Sequence, residues 1–426
     1  MILLLEKVIL VGATDHYKMY GEKLNHYDVN SLYPTQMCKE LPLKPLDYIA
    51  NMMNHKLEDF FGFCLVKVHC PRNIKIPLLP FRNKEGMIIF PTGVWYGIYF
   101  SEELKYLTRY GYRFTLISGL PFTKSSIFNK YINHFYQIKK NALTPAIKFI
   151  AKMQLNQLYG YFGRMRDLIV TKVIDRDQIE KFISSRFIKS IIEVNNKFTI
   201  LLMTANINHT LLKKVNNELD NLDLELDVQI ENIFKTLRSH VAISAAITAY
   251  ARMEMNEYKT LFGITIYYTD TDSIFTDKPL PAHLVGPDLG QMKDELNGKV
   301  IIRALFLGNK RYCYQYYDDN GVLITVSVFS GVKRNSLTFE QFERMSKGEI
   351  LDIVQPDTFS RNFANLTLRI INRNVKIQRS YNKILVGNDY LPKHINDKQY
   401  PLKVKDSLVA QMVRRVRYLF KKYLNK

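Results

Sequence analysis

Two aspartates separated by a single residue, Asp270 and Asp272, lie between apolar stretches in the sequence Tyr-Tyr-Thr-Asp-Thr-Asp-Ser-Ile-Phe, residues 267–275. The flanking apolar residues predict two strands that meet at a tight turn. Like charges held this close raise each other's pKa, so the arrangement is unfavourable unless a cation neutralises it. Because hard oxygen ligands suit Mg²⁺, the motif indicates a divalent-cation site. An aspartate pair that only forms a turn is the simpler explanation of the motif taken alone.

A third aspartate, Asp28, ends another alternating apolar stretch and is followed by Ser-Leu-Tyr-Pro, residues 31–34. Two-metal phosphoryl transfer requires carboxylates from separate strands that converge on cations about 3.5–4 Å apart. Asp28 and Asp272 could form that pair. One metal would lower the pKa of an attacking hydroxyl, and the other would stabilise a leaving pyrophosphate. A lone aspartate before such a turn is otherwise usually a cap.

A predicted helix carries a basic stripe. Thr144 can cap this helix, and Pro145 suits its first position. Two lysines one turn apart repel each other unless an anion lies over them, and a triphosphate would be such an anion. A solvated basic face is an equally simple interpretation. A glycine after the stripe, Gly160, would let a nascent base pair approach an aromatic ring closely. The stripe consists of Lys148, Lys152, Asn156 and Tyr159.

A lysine and a tyrosine, Lys310 and Tyr312, follow the apolar run Leu305-Phe306-Leu307. If this stretch is a strand, both side chains share one face. A cation beside a phenol could then hold a primer phosphate.

The elements that must position these residues follow from hydrophobic periodicity. Strands are predicted around Asp28 and Asp270, and helices over residues 126–163 and 236–262. One apolar stripe of the first helical region predicts a buried face: Ile147, Ala151, Leu155, Leu158 and Phe162.

Three further segments have a weaker pattern. Residues 1–12 are predicted to form a buried strand, and residues 165–235 are mixed. Residues 407–426 predict a basic amphipathic helix, whose charged face is either solvated or follows DNA.

The composition favours a polyanionic partner. The chain has 426 residues, a net charge of +20 and a pI near 9.5, and such a charge attracts nucleic acid. An anionic membrane surface is the other partner that suits it, but no basic amphipathic helix with an aromatic face supports a membrane. No apolar run reaches the roughly 18–20 residues of a membrane span. The nine histidines form no metal-binding cluster, and neither zinc spacing nor a disulfide framework fits the four cysteines, Cys38, Cys64, Cys70 and Cys313.

Taken in order, four elements resemble the conserved motifs of family B DNA polymerases. Residues 27–34 resemble motif A, residues 152–160 motif B, residues 268–273 motif C and residues 310–312 the Lys-x-Tyr motif. The amino-acid sequence of motif A is most similar to that of the protein-primed branch, found in phages and in linear mitochondrial plasmids.

The resemblance implies a metal-dependent site. Asp28 and Asp272 would ligate two Mg²⁺ ions, for which Mn²⁺ can substitute, with assistance from the Val29 carbonyl. Asp270 would be a catalytic neighbour that shapes the site.

The resemblance also implies substrate contacts. Tyr33 would exclude a ribose 2′-hydroxyl, and Tyr159 would line the nascent pair. Lys152, Asn156 and Lys148 would bind the triphosphate. Lys310, Tyr312 and Gly160 would contact the primer and the DNA.

The fold implied is an α+β right hand with an antiparallel palm sheet, helical fingers and a small thumb. Its parts would be palm 1–40, an insertion of the protein-primed type 41–125, fingers 126–164, a second insertion 165–235, palm 236–345 and thumb 346–426. The implied activity is template-directed addition of dNTPs to a 3′-hydroxyl. DNA template-primer, dNTPs and a terminal priming protein would be partners, and a mitochondrion would be the setting.

Two departures from the family pattern matter. Motif B has Asn156-Gln157 where relatives have Asn-Ser, which affects the tuning of the fingers. Motif A begins at residue 28, no Asp-x-Glu signature precedes it, and the Tyr-x-Gly-Gly linker motif is reduced to residues 9–12. The sequence therefore predicts that the chain lacks its own 3′–5′ exonuclease.

Two alternatives remain open at this point. One is a truncated, inactive remnant that only binds DNA, which the retained motifs oppose and the missing N-terminal half favours. The other is a reverse transcriptase or RNA polymerase. Reverse transcriptases usually carry adjacent aspartates at this hairpin, whereas Thr271 separates them here.

Overall fold

The computed structural model describes residues 12–164, 169–179, 188–204, 240–362 and 367–399. Within these residues the α-helices are α1 Leu32–Met37, α2 Ser101–Thr108, α3 Asn129–Lys140, α4 Pro145–Phe162, α5 Val241–Lys259 and α6 Phe339–Ser346. Single 3₁₀ turns span Arg176–Gln178 and Ala282–Leu284. The predicted strand over residues 1–12 lies outside the described residues except for its last residue, and the predicted helix over residues 407–426 lies wholly outside them.

The β-strands of the described residues follow in chain order. The first eleven are β1 Thr14–His16, β2 Tyr20–Val29, β3 Leu41–Pro45, β4 Gly62–Cys70, β5 Phe81–Arg82, β6 Ile88–Ile89, β7 Thr92–Phe100, β8 Arg113–Ser125, β9 Ile169–Asp175, β10 Ile188–Glu193 and β11 Phe198–Thr204. The others are β12 Ile266–Asp270, β13 Ser273–Thr276, β14 Met292–Asp294, β15 Ile301–Gly308, β16 Arg311–Tyr317, β17 Leu323–Phe329, β18 Leu351–Asn362, β19 Thr367–Ile377, β20 Ile384–Val386, β21 Asp389–Leu391 and β22 His394–Ile395.

An antiparallel sheet carries the aspartates of interest. Its strand order is β1-β12-β13-β2-β15-β16-β17, and β14 pairs with β2 beside that path. The ten-residue strand β2 is long enough to pair with β15 along its first half and with β13 and β14 along its second half. The sheet therefore joins segments that are more than 200 residues apart in the chain.

Helix α4 packs against α3 and against α5, and α5 packs against this sheet. The helical predictions for residues 126–163 and, within the described residues from 240 onward, for residues 236–262 are confirmed. Thr144 Oγ1 accepts a hydrogen bond from the Ile147 N–H, at a donor–acceptor distance of 3.3 Å, and Pro145 occupies the first helical position. Small residues such as Ala246 and Ala249 allow close packing along α5 and are buried.

The predicted buried face of α4 is wrong at its first residue. Ala151 and Leu155 are buried, but the Ile147 side chain is 44% exposed. Ile147 lies in the first turn of α4, next to the α3–α4 connection, whereas Leu155 joins the core that α5 lines. Leu158 and Phe162 pack against that core in partly buried positions.

A second sheet has the order β22-β7-β4-β8-β3, with α2 packed against β4 and β7. Trp95 and Val66 lie in its core. The four cysteines are free thiols, as expected. Among the described residues, no helix is long and apolar enough to cross a membrane.

The chain divides into two compact units. The sheets described so far belong to the first, which comprises residues 1–163, 240–351 and 377–426. The second comprises residues 164–239 and 352–376. Its described part contains the antiparallel sheet β10-β11-β9 and the two-stranded sheet β18-β19.

A buried ion pair connects α2 to α5 within the first unit. Arg252 Nε lies 2.6 Å from Glu103 Oε1, and Arg252 Nη2 lies 2.7 Å from Glu103 Oε2. Both side chains are almost completely buried. A two-point guanidinium–carboxylate contact fixes both position and orientation, so this pair holds the second sheet against α5.

The Glu103–Arg252 pair yields the first prediction. We expect Arg252→Met to lower the free energy of unfolding by about 3–5 kcal/mol, because it leaves a buried carboxylate without its partner. Urea denaturation measures the change. The matched control is Lys124→Met, which removes the exposed Lys124–Glu40 pair and should have a much smaller effect, because solvent screens an exposed pair. The double variant Glu103→Leu/Arg252→Met should recover part of the loss. Equal costs for the buried and the exposed pair would contradict this assignment.

Candidate active site

Asp28 and Asp272 come together through sheet register. Asp28 pairs with Ser273 across β2 and β13, and the Val29 N–H donates to the Asp272 carbonyl oxygen at 2.8 Å. The two aspartates are therefore neighbours at the end of adjacent strands, although 244 positions separate their numbers. The predicted strands around Asp28 and around Asp270 to Ser273 are confirmed.

The turn that carries Asp272 is strained and tightly held. Thr271 has a φ of +66°, which is unfavourable for a β-branched residue. Two hydrogen bonds compensate, from the Asp272 N–H to the Asp270 carbonyl at 2.8 Å and from the Thr271 N–H to the Ala13 carbonyl at 3.1 Å. A Cβ at Gly12 would lie 2.6 Å from Thr271 Cγ2 and 2.8 Å from the Tyr33 hydroxyl. Glycine is therefore required where the chain passes this turn.

The electrostatics of the two aspartates are those of an unneutralised pair. Burial, with the neighbouring Asp272 charge, raises the pKa of Asp28 to about 7. Burial and Asp270 likewise raise the pKa of Asp272. Lys152 opposes both shifts from a distance. With the described residues, neither carboxylate forms an ion pair within 4.0 Å.

These two aspartates fit a divalent cation. Half-buried carboxylates that raise each other's pKa carry a cost that a cation would remove. The described residues contain no group of three or more His, Cys, Asp or Glu side chains suited to a metal. A protein ligand set at this position would thus consist of two carboxylates and a backbone carbonyl, such as that of Val29 at the end of β2.

Asp270 differs from the other two aspartates because the protein neutralises it. Lys310 Nζ lies 2.9 Å and 3.0 Å from its two carboxylate oxygens. The Thr14 hydroxyl donates a further hydrogen bond to Asp270 Oδ1 at 2.9 Å. Its acceptor capacity is largely used inside the protein.

The premise that Lys310 and Tyr312 share one strand face is wrong. Gly308 pairs with Arg311, so Asn309 and Lys310 form the β15–β16 turn, and Lys310 has a φ of +54°. The Lys310 side chain is 57% exposed. Tyr312 lies in β16 and is buried among aromatic rings, with its centroid 5.0 Å from that of Tyr268. The tight hairpin places a turn at Lys310, whereas a shared face requires a continuous strand over residues 310–312.

An aromatic stack connects motif A to helix α4. The rings of Tyr33 and Tyr159 are stacked, with centroids 4.2 Å apart and an interplanar angle of 25°. Burial is the main cause that raises the pKa of both phenols, and the Asp272 charge contributes to both shifts. The stack therefore lies beside the aspartate pair.

The other predicted residues of α4 lie on exposed positions. Lys152 is exposed and close enough to lower the pKa of both Asp28 and Asp272. Lys148 and Asn156 are exposed one turn to either side. A Cβ at Gly160 would meet no atom within 4 Å, so the space there is open to a ligand.

One lysine beside the site escaped the sequence analysis. Lys139, near the end of α3, donates to the Ser31 hydroxyl at 2.9 Å. Burial lowers its pKa, and Lys152 and Lys148 add to the effect, whereas Asp28 opposes it. In the sequence, Lys139 is only one member of a Lys-Lys pair. The α3–α4 hairpin brings it to motif A, and no local pattern predicts this contact.

A second missed pair lies on β14 and directly after it. Lys293 is the cross-strand neighbour of Asp28 and donates to Glu295 Oε1 at 2.8 Å. Glu295 raises the pKa of Asp28, and Lys293 lowers it. No spacing rule links these residues to Asp28, because only the sheet makes them neighbours.

The raised pKa of Asp28 yields the second prediction. A carboxyl group whose pKa is higher in the folded than in the unfolded protein reduces stability as pH rises from about 4 to about 7. We expect Asp28→Asn to raise the free energy of unfolding by about 1–2 kcal/mol at pH 8, a figure discounted for solvent screening, and to have little effect near pH 4. Urea denaturation in EDTA measures both values. Asp47→Asn, at an exposed position, is the control. A destabilised variant at pH 8 would contradict the assignment.

Comparison with known proteins identifies the family. Residues 10–263 match the family model described as DNA polymerase type B, organellar and viral. A probable DNA polymerase of Podospora anserina is 36% identical over 345 residues, which are 78% of this chain and 28% of that protein. One of Agaricus bitorquis is 29% identical over 358 residues, 83% of this chain and 44% of that protein. The chain thus spans less than half the length of these relatives.

The fold is that of a known polymerase. The structure of phi29 DNA polymerase with primer-template DNA and incoming nucleotides matches with a TM-score of 0.61 and 18% identity. The match covers 88% of this chain and 62% of that protein. The α+β right-hand fold predicted from the sequence is confirmed. With a family model matching more than half of its residues, the chain belongs to the organellar and viral type B DNA polymerases.

Proposed function

We propose that the chain is a DNA-directed DNA polymerase that adds dNTPs to a primer 3′-hydroxyl. The observation that carries the proposal is the convergence of Asp28 and Asp272 beside Lys152 and the Tyr33–Tyr159 stack. The hydroxyl oxygen bonds to the α-phosphorus, the α–β phosphoanhydride bond breaks, and pyrophosphate leaves. Family membership supports the proposal, as do the DNA and nucleotides bound to the phi29 enzyme.

Asp28, Asp272 and the Val29 carbonyl would hold two Mg²⁺ ions, for which Mn²⁺ can substitute. When bound, these ions lower the pKa of the primer hydroxyl and stabilise negative charge on the leaving group. The chain contributes two carboxylates that lack an internal counter-charge. Asp270, already paired with Lys310, contributes shape and charge to the site.

The lysines of α3 and α4 would bind the triphosphate. Lys148 and Lys152 both lower the pKa of Lys139, and Lys152 also lowers that of Asp28, so the three cations lie near one another beside Asp28. Such a cluster is unfavourable by itself, and a polyanion stabilises it. Asn156, one turn beyond Lys152, would add a hydrogen-bond donor.

The Tyr33–Tyr159 stack would form the floor under the incoming nucleotide. Tyr33 is anchored on α1 and is fixed in place by its stack with Tyr159. A ring held in this way would meet the 2′-hydroxyl of a ribonucleotide, and this contact would select dNTPs. The open space at Gly160 would admit the nascent base pair.

Lys310 would meet the primer end. Its side chain is exposed although it contacts Asp270, so a primer phosphate could share the ammonium group. Tyr312, buried beneath, would support this surface through the aromatic cluster that includes Tyr268.

The wider setting is also part of the proposal. Palm, fingers and thumb would correspond to residues 1–40 with 236–345, residues 126–164 and residues 346–426, with insertions at 41–125 and 165–235. A terminal protein would supply the priming hydroxyl, and a mitochondrion would be the compartment. The family's description as organellar and viral supports the compartment, and the resemblance of motif A to the protein-primed branch supports the terminal protein.

Primer extension tests the activity. With Mg²⁺ and dNTPs on a primed DNA template, wild type should extend the primer, and Asp272→Asn should be at least about 1,000-fold slower. Asp319→Asn, at an exposed carboxylate that pairs with Lys299, should match wild type. Extension by Asp272→Asn at the wild-type rate would overturn the site. Failure of wild type, with DNA binding intact, would favour the inactive remnant.

Steady-state kinetics test the triphosphate grip. We expect Lys152→Ala to raise the KM for dNTP about 10–100-fold, because a hydrogen bond to a charged group contributes about 1.5–3 kcal/mol. Lys148→Ala should have a smaller effect, since Lys148 is not among the main charges acting on either aspartate. Lys130→Ala, at an exposed position of α3, is the matched control. An unchanged KM for Lys152→Ala would reject this role.

A further inference from the structure

The β15–β16 turn, Asn309 and Lys310, and the end of β15 before it are held by three separate segments of the chain. The Ser380 N–H donates to the Leu307 carbonyl at 2.7 Å, and the Ser330 N–H donates to the Lys310 carbonyl at 2.8 Å. The Lys310 N–H donates to the Tyr268 hydroxyl at 2.8 Å. Because Lys310 adopts a left-handed φ, the turn needs these contacts to hold its shape.

The side chain of Asn309 has a buried partner behind the turn. His16 Nδ1 lies 3.0 Å from Asn309 Oδ1, and an amide oxygen accepts, so Nδ1 carries the proton and donates. The His16 ring is 2% exposed and packs edge-on against Tyr390, with centroids 4.3 Å apart. Burial lowers its pKa to about 4, so the ring is neutral under ordinary conditions. Among described residues, Nε2 has no partner.

His16 is itself fixed by a buried ion pair. Lys383 Nζ lies 2.7 Å from Asp15 Oδ2 and 2.9 Å from the His16 carbonyl oxygen. Both charged side chains are nearly buried. The His16 N–H donates to Asp15 Oδ1 at 3.0 Å. The backbone of His16 therefore cannot shift without breaking buried charged contacts, and its ring gives Asn309 a fixed donor.

We propose that His16 is a positioning residue that, through Asn309, holds the Lys310 ammonium on Asp270. This inference rests on the proposed polymerase function. In a two-residue turn, the peptide between Asn309 and Lys310 turns as a unit, so release of Asn309 frees the direction of the Lys310 side chain. Lys310 then neutralises Asp270 less well and meets the primer end in a less defined place.

Replacements of His16 separate a hydrogen-bond role from simple packing. His16→Phe keeps a ring against Tyr390 but removes the donor. In His16→Asn the amide nitrogen can occupy the place of Nδ1, so this variant should keep the hydrogen bond to Asn309. In His16→Gln the amide nitrogen lies near the place of Nε2, so this variant should lose the bond. We expect kcat/KM for primer-template to fall about 10-fold in His16→Phe and His16→Gln, as for loss of one hydrogen bond. His16→Asn should stay within about threefold of wild type.

A milder variant and a double-mutant cycle test whether His16 acts through Lys310. Asn309→Ala, at a partly exposed turn position, should reproduce the His16→Phe loss with a smaller fall in Tm, because the buried His16 ring stays in place. In a Lys310→Ala background, His16→Phe should cause no further loss, because the two changes act on one interaction. An equally large loss in that background would overturn the proposal. So would wild-type kinetics in both His16→Phe and Asn309→Ala.

Amide hydrogen exchange gives a readout that does not require activity. The Lys310 amide should exchange faster in Asn309→Ala and His16→Phe than in wild type, while amides of α5 keep their rates. Unchanged exchange at Lys310 would overturn the positioning role even if wild type extends primers. If wild type extends no primer, the proposed function fails, and the exchange rates still decide whether His16 holds the turn.

Discussion

Asp28 and Asp272 are two like charges held close together in a half-buried site, which is unfavourable. The arrangement of the residues around them follows from this free-energy cost. Sheet register makes them neighbours, and burial raises the pKa of each. Lysines approach from three directions, on α4, on β14 and at the β15–β16 turn, and each lowers the pKa of one or both aspartates. None of these lysines pairs directly with either carboxylate among the described residues, so the negative charge remains available to a cation.

Strained turns surround this charge pair. Ser31, Thr271 and Lys310 all have positive φ angles, and each lies at the end of a strand that carries a site residue. Such conformations persist where neighbouring contacts determine them. Here Lys139 contacts the Ser31 hydroxyl, Ala13 accepts from Thr271, and Tyr268 accepts from Lys310. Two buried ion pairs fix neighbouring elements: Glu103–Arg252 connects α2 to α5, and Asp15–Lys383 connects β1 to residue 383.

Sequence periodicity predicted the helices and strands correctly. The errors arose at a short turn, that of Lys310, and at the end of a helix, that of Ile147. The strands around Asp28 and Asp270 and the helices α4 and α5 were correctly predicted, because alternation and 3.6-residue spacing are local properties. The β15–β16 stretch is apolar on both sides of its turn, so periodicity did not reveal the hairpin at Lys310. Ile147 fits the apolar stripe, but the first turn of α4 lies beyond the core that α5 lines. The expected absence of an exonuclease stays a prediction.

The sequence by itself determined the order of the four motifs, the carboxylates suited to a hard cation, and the basic charge suited to a polyanion, since these depend on residue type and spacing alone. Only the tertiary structure decided which charges meet. It paired Lys310 with Asp270 and left Asp272 unpaired within the described residues, brought Lys139 to Ser31, and placed Lys293 across from Asp28. The reason is that Coulomb interactions and hydrogen bonds depend on distance in space, and the antiparallel sheet sets those distances between segments that lie far apart in the chain.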